Sequence, residues 1–208
     1  MAERTKNVPQ PMLPRGFLGR ITLMGMNLGH RSIYKNVAAA LALQPDDDLL
    51  EVACGNGFFL KKYASHVRSI AGLDLSELCI NMAKKKYRGR IEAGTAEFVN
   101  GEASRLPWND SRFSVVTSMG SFIGFPQPLE ALKEMRRVLR PGGRAVVCVE
   151  WHAEDGLAHT REVEGFGMKL WTEEEVRAAI MEAGFSEVLF TYARGLKMPR
   201  MMIAKAVK

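Results

Sequence analysis

Cysteine is scarce in this chain: there are three in 208 residues, an odd number, and Cys54, Cys79 and Cys148 show no metal-ligand spacing. That excludes a disulfide framework and a cysteine-based metal centre, and it makes a reducing cytoplasm the expected compartment. Long apolar runs are also missing. None reaches the roughly 18 residues of a membrane span, and the opening MAERTKNVPQPMLPRG lacks a hydrophobic signal core. Histidine is sparse, with four residues, so an imidazole base has few candidates. Two nucleotide-binding patterns fail as well. No glycine-rich loop ends in Gly-Lys-Ser/Thr, and the G-x-G-x-x-G spacing breaks because position 60 is Leu60.

What is present is an apolar-rich chain, 47% hydrophobic, with a net charge of +6. At about 150 residues per domain the length fits one domain with a small appendage, able to bury roughly 70% of its unfolded surface. Positive residues fall in short clusters such as Lys84-Lys85-Lys86 and Arg136-Arg137 with Arg140. These read as solvated helix faces, and no aromatic residues are interleaved for base stacking, so nucleic acid is not the expected partner. Pro9, Pro11 and Pro14 make residues 1–16 a loose arm. Residues 17–44 read as two helices interrupted at Asn27-Leu28-Gly29, the first striped by Leu18, Ile21, Gly25 and Leu28, the second by Ile33, Val37, Ala40 and Leu41.

From Leu49 onward short buried strands alternate with helices, the pattern of a parallel sheet covered on both faces. Strands are expected at residues 49–53, 69–73, 97–99, 113–117 and 145–149. Ser76 caps a helix that Gly89 closes, a later helix stops at Arg140-Pro141-Gly142-Gly143, and Thr172-Glu173-Glu174-Glu175 forms a capping box for the helix that Gly184 ends. Residues 188–191 and 201–206 read as two strands with no helix between them, so they must pair as an antiparallel hairpin. The α/β domain spans residues 45–208.

The most informative stretch runs from Leu49 through Glu51-Val52-Ala53-Cys54-Gly55-Asn56-Gly57-Phe58, a buried strand passing directly into a glycine turn and a helix start. Such a turn permits close approach to the backbone, and the helix start offers free amides. A carboxylate at Glu51, just before the turn, repels a pyrophosphate and accepts hydrogen bonds from an ammonium. Asp74 ends the second strand, 19 residues beyond Gly55, where a carboxylate suits the two hydroxyls of a ribose. Gly101-Glu102-Ala103 follows the third strand, within reach of an adenine edge. All three features lie at strand C-termini, the usual ligand crevice of an open α/β sheet.

These residues resemble a known family. Residues from about 32 to 208 are similar to class I S-adenosylmethionine-dependent methyltransferases of the small-molecule type that includes the ubiquinone/menaquinone C-methyltransferases. The likeness rests on Glu51-Val52-Ala53-Cys54-Gly55-Asn56-Gly57, Gly72-Leu73-Asp74-Leu75-Ser76, Gly101-Glu102-Ala103 with Leu106-Pro107-Trp108, Phe113-Ser114-Val115-Val116 and Leu139-Arg140-Pro141-Gly142-Gly143. It implies a Rossmann-like, seven-stranded sheet, mostly parallel with a reversed last strand, behind an N-terminal helical lid over residues 17–44. It also implies S-adenosyl-L-methionine as cofactor, with Glu51, Ala53, Cys54 and Gly55 around its methionine part and Asn56 and Gly57 among the cofactor-binding residues. Asp74 would take its ribose, Leu75 its adenine face, Glu102 and Ala103 its polar edge, and Ser118 and Met119 its sulfonium. The chain departs from the family at Ala53, where a glycine is usual.

The acceptor implied is a small, apolar or aromatic molecule. No Asn/Asp-Pro-Pro-Phe/Tyr tetrapeptide follows the fourth strand, where Ser118-Met119-Gly120-Ser121 stands, and no Pro-Cys pair is present, which argues against transfer to nucleic-acid bases. His152, after the fifth strand, is the first candidate base, and His30 with Tyr34 the second; His66 and His159 read as surface residues. Residues 17–26, with Leu23, Met24 and Met26, suit an apolar acceptor or transient contact with a membrane. The alternatives are an RNA or protein methyltransferase and a cofactor-binding protein without catalysis.

Overall fold

The computed structural model describes residues 15–165, 167–195 and 198–208, so the arm expected at residues 1–16 lies almost wholly outside the described residues. Seven strands form one sheet: β1 (Asp48–Val52), β2 (Ser69–Asp74), β3 (Ala96–Asn100), β4 (Phe113–Met119), β5 (Leu139–Val149), β6 (Glu187–Gly195) and β7 (Met198–Val207). Their spatial order is β3-β2-β1-β4-β5-β7-β6. The first five are mutually parallel, and β7 runs antiparallel to both β5 and β6. The expected seven-stranded, mostly parallel sheet with a reversed last strand is the architecture observed.

Successive residues of a strand point to opposite faces, and here both faces are covered. Leu49, Ile70, Val115, Val146 and Ile203 join one core with Ile33, Val37 and Leu41 of α2 (Arg31–Leu41) and with Leu60, Ile80 and Ala83. Leu60 lies on α3 (Phe58–Tyr63), and Ile80 and Ala83 on α4 (Glu77–Lys86). Leu50, Leu73, Val116, Val147 and Ala204 join a second core. It is closed by Leu132 and Met135 and by Val176 and Ile180, from the helices Pro128–Val138 and Glu173–Glu182. With α5 (Arg88–Glu92) between them and α4, these last two are α6 and α7. The Thr172 capping box opens α7 as expected.

Three local expectations need correction. Helix α4 is not closed by Gly89, which lies inside α5; α4 ends at Lys86 and is capped by Tyr87, whose ring stacks on Phe98 at 5.0 Å, and Gly94 (φ +70°) follows α5. Strand β5 starts at Leu139 rather than at residue 145. Leu139 pairs with Phe113 before the register shifts, so Pro141 and Gly142 form an irregularity within the strand instead of a loop before it. The stretch expected to be a lid also divides. Helix α2 belongs to the wall of the domain, its C-terminal carbonyls at Leu41 and Ala42 bonded to the Arg144 guanidinium at 2.6 and 3.2 Å, while α1 (Gly16–Gly29) stands off.

At the amino end of β1, Asp48 is 3% exposed and is surrounded by cations. Arg68 and Arg140 donate to its carboxylate, Ser69 donates its hydroxyl, and Arg112 lies 3.5 Å away. Despite burial, the bonds to Arg68, Ser69 and Arg140 hold this carboxyl well below the usual aspartate range. A carboxyl whose folded pKa is depressed stabilises the fold above its unfolded pKa and loses that contribution as pH falls toward the folded value. Asp48→Asn is therefore expected to cost about 2–3 kcal/mol, since the arginines are partly solvated. Urea titrations at pH 7 and pH 3 check this: the difference between wild type and variant should shrink at the lower pH.

Candidate functional site

The turn leaving β1 is built from left-handed backbone. Ala53, Gly55 and Gly57 have φ of +60°, +52° and +69°. At Gly57 a side chain has no room, because a Cβ would lie 2.9 Å from Cε2 of Tyr87, whose hydroxyl donates to the Gly57 carbonyl at 2.8 Å. Ala53 adopts the conformation that a glycine would take, so its methyl group strains the turn without changing its course. The Cys54 amide donates to the Leu73 carbonyl at 3.0 Å, extending the β1–β2 ladder by one residue, and the Gly57 amide donates back to Cys54 at 3.0 Å.

Asp74, at the end of β2, clasps this turn. Its Oδ2 accepts the Gly55 amide at 2.7 Å and its Oδ1 accepts the Ser76 amide at 2.8 Å. Burial pushes this carboxyl up, and the two amides work against that. Each oxygen keeps a second lone pair for a ligand hydroxyl. The Asn100 amide, unnoticed in the sequence, donates to both the Asp74 and Leu75 carbonyls at 2.9 Å and so sets the backbone on which Leu75 stands exposed. Asparagine at a strand end is common in turns, and nothing in its spacing marks it.

Glu51 and Glu150 give the site its charge. Glu51, near the carboxyl end of β1, is 4% exposed, its Oε2 has no hydrogen-bond partner, and no cation pairs with it among the described residues. Burial, and then the charge of Asp74, pushes it well above the usual glutamate range. Glu150, just past β5, is equally buried, and its Oε1 is likewise without a hydrogen bond, 3.6 Å from Nε2 of His30. Burial raises this carboxyl too, opposed by His30. Glu150 occupies the space above Gly120 (φ +64°), where a Cβ would lie 1.7 Å from Oε1. Tyr34 of α2 is buried with its ring 6.0 Å from that of His30. Burial and the charges of Glu51 and Glu150 raise the Tyr34 phenol, so it stays neutral. Ser118, paired with Val52 across β1 and β4, is fully buried with an unpartnered Oγ. An unpartnered buried carboxylate is costly, and two such carboxylate oxygens together with the Ser118 hydroxyl at one edge of the sheet mark a place for a polar, cationic guest.

The sequence-selected residues sort as follows. Glu51, Ala53, Gly55, Gly57, Asp74, Leu75, Ser118 and Met119 meet at the carboxyl ends of β1, β2 and β4. His30 and Tyr34 face the same edge through Glu150. Glu102, exposed, and Ala103, half-buried, follow β3. Cys54 turns inward: its Sγ is where a Cβ on Gly72 would collide, at 2.7 Å. The Asn56 carbonyl accepts from the Lys86 ammonium at 2.6 Å, which ties the turn to α4.

His152 does not fit the role of base. It is fully buried, its Nε2 lies 2.7 Å from the Arg200 carbonyl, and its Nδ1 accepts the Glu154 amide at 3.3 Å. A carbonyl can only accept, so Nε2 carries the proton and both nitrogens are committed. His159 is not at the surface either, being buried with Nε2 2.6 Å from Asp155. Nothing in the sequence marks Glu150, because a glutamate at a strand end carries no distinguishing spacing.

Residues 50–147 match the family model described as a methyltransferase domain. The chain is 32% identical over 124 residues to the demethylmenaquinone methyltransferase of Oceanobacillus iheyensis, which covers 58% of this chain and 51% of that protein. The chain thus spans about half the length of the curated relative. It is 28% identical over 174 residues to the O-methyltransferase resE of Aspergillus sclerotiorum, covering 81% of this chain and 66% of that one. Among solved structures, a chain of the complex containing the Haloferax volcanii Trm112 methyltransferase activator superposes with a TM-score of 0.77 at 21% identity, covering 88% of this chain and 91% of that chain. That last likeness is one of fold.

Relief of the strain at Ala53 is directly measurable. Ala53→Gly is expected to raise stability by about 0.5–1 kcal/mol, the left-handed penalty less the extra freedom of glycine in the unfolded chain. Thermal denaturation checks it, and a lower melting temperature would contradict the geometry.

Proposed function

We propose that the chain, whose residues 50–147 match a methyltransferase-domain model, is a class I S-adenosylmethionine-dependent methyltransferase that transfers a methyl group from S-adenosylmethionine to a small, apolar or aromatic acceptor. The observation that carries this reading is the buried Glu51 carboxyl with its unpartnered Oε2, set between the glycine turn and Asp74. A negative group without a counter-charge at that place fits an ammonium- and sulfonium-bearing ligand and opposes a pyrophosphate. The bound cofactor supplies an electrophilic methyl group, so the chain has to bind, align and exclude water rather than create a strong nucleophile.

Each residue then has a task. Glu51 accepts from the ligand ammonium, and Asp74 uses its free lone pairs on the ribose diol while its other bonds hold the Gly55 amide in place. Leu75 covers one face of the adenine, and Glu102 and Ala103 border its edge. Ser118 and Met119 stand at the end of β4 beside the reacting centre. On the acceptor side His30 takes the acceptor's proton, and the Glu150 carboxyl 3.6 Å from its Nε2 favours the imidazolium that results. Phe125, just past β4, and Trp171, just before α7, both half-buried, pack on the buried Phe122 with ring centroids 6.1 and 5.2 Å from it and give an apolar wall suited to an aromatic acceptor. The relative from Oceanobacillus iheyensis, named for demethylmenaquinone, supports an acceptor of this class.

Two results follow. Only ionised Glu51 can pair with an ammonium, and its raised pKa keeps it protonated to higher pH than an ordinary glutamate. Affinity for S-adenosylhomocysteine should therefore fall as pH is lowered toward that pKa, and Glu51→Gln should both weaken binding by about tenfold and flatten the pH dependence. Calorimetric titration at several pH values reads both effects. Second, incubation with methyl-labelled S-adenosylmethionine and a solvent extract of cells should place label in small apolar molecules. Glu150→Gln should slow that transfer by about 100-fold with unchanged cofactor affinity. Label in RNA or protein alone would contradict the proposal.

A further inference from the structure

Helix α1 turns an apolar face to solvent. Phe17, Ile21 and Met24 are 77%, 53% and 74% exposed, and Leu18 beside them is 67% exposed. Spaced at i, i+4 and i+7, the first three lie on one side of the helix. Leu23 and Gly19 are buried on the other side, so α1 is anchored to the body by a narrow seam. Leu23, which the sequence placed with Met24, thus belongs to the seam and not to the face. Four large apolar side chains exposed together on about two turns of helix are unusual unless something covers them.

The charge around this face indicates what covers it. Arg15, Arg20, Arg31 and Lys35 are exposed on α1, at its start and on the next helix. The sequence has no Asp or Glu between Glu3 and Asp46, a stretch that carries six lysines and arginines. From this geometry we propose that α1 is an interfacial helix that lies on a lipid bilayer bearing anionic headgroups, its Phe17, Ile21 and Met24 face dipping among the acyl chains and its cations meeting phosphates. At 14 residues it is too short to cross. A second copy is the poorer occupant, because a two-fold contact would bring Arg15 and Arg20 against their own counterparts.

Docking in this way has a consequence for the site proposed above. Helix α1 ends at Gly29 and passes through His30 into α2, which carries Tyr34. The acceptor side of the crevice is therefore held next to the bilayer, where a lipid-soluble molecule can enter without crossing water.

Co-sedimentation of the full chain with vesicles tests the proposal without any methyl transfer, so its outcome is independent of the proposed function. The protein should sediment with vesicles of phosphatidylglycerol and phosphatidylcholine, remain in the supernatant with phosphatidylcholine alone, and be released as salt is raised. The variant F17S/I21S/M24S should lose binding by roughly tenfold or more while keeping the melting temperature of the wild type. A second variant, Arg20→Glu, should weaken binding to the anionic vesicles with the apolar face intact. Absence of wild-type binding, or equal binding by the triple variant, would overturn the assignment. So would a dimer in the ultracentrifuge that the triple variant dissolves, which would give the face to a second copy.

Discussion

Strand β1 carries two buried acids three residues apart, and the protein treats them in opposite ways. Asp48, at the amino end, is held by Arg68, Arg140 and Ser69, with Arg112 nearby. Glu51, near the carboxyl end, has an unpartnered oxygen and no ion pair among the described residues. Neutralising the second acid would have required only another arginine. Leaving it bare costs stability, because an uncompensated buried carboxylate must either protonate or find a guest. The rest of the site follows from that choice: the glycine turn opens the approach to Glu51, and Asp74 fixes the turn through Gly55. Tyr34 closes it from the side as a neutral phenol.

The same uneven distribution of charge separates binding from stability in the fold. The amino edge of the sheet is stitched by arginines reaching several strands, including Arg144 to Asp47 and to the end of α2. The carboxyl edge instead accumulates unpartnered groups at Glu51, Ser118 and Glu150. An open α/β sheet collects its ligand at the carboxyl ends of its strands, and this chain has kept its rigid ionic network at the other end.

Much of this was legible in the sequence, for physical reasons that also explain what was not. Strands buried on both faces read as apolar runs, so β1 to β5 were located, and the absence of a helix between the last two runs forced the reversed hairpin. The glycine turn and Asp74 were legible because positive φ and a carboxylate at a strand end leave a mark on residue type. Strand β5 was cut short because Pro141-Gly142-Gly143 resembles a helix stop, whereas the register shift after Phe113 absorbs it within the ladder. The place of His152 after a strand end does not tell which way its ring turns, and the ring turns inward. Its nitrogens satisfy the Arg200 carbonyl and the Glu154 amide. Glu150 and Asn100 escaped notice because their importance comes from tertiary neighbours, His30 and Gly120 for the one, the Asp74–Leu75 backbone for the other.

The most direct test of the central claim is a crystal structure of the protein with S-adenosylhomocysteine. The account predicts the ligand at the carboxyl ends of β1, β2 and β4, its ammonium bonded to Glu51 Oε2 directly or through one water, and its ribose hydroxyls on Asp74. A ligand seated elsewhere, or one that leaves Glu51 Oε2 still without a partner, would contradict it.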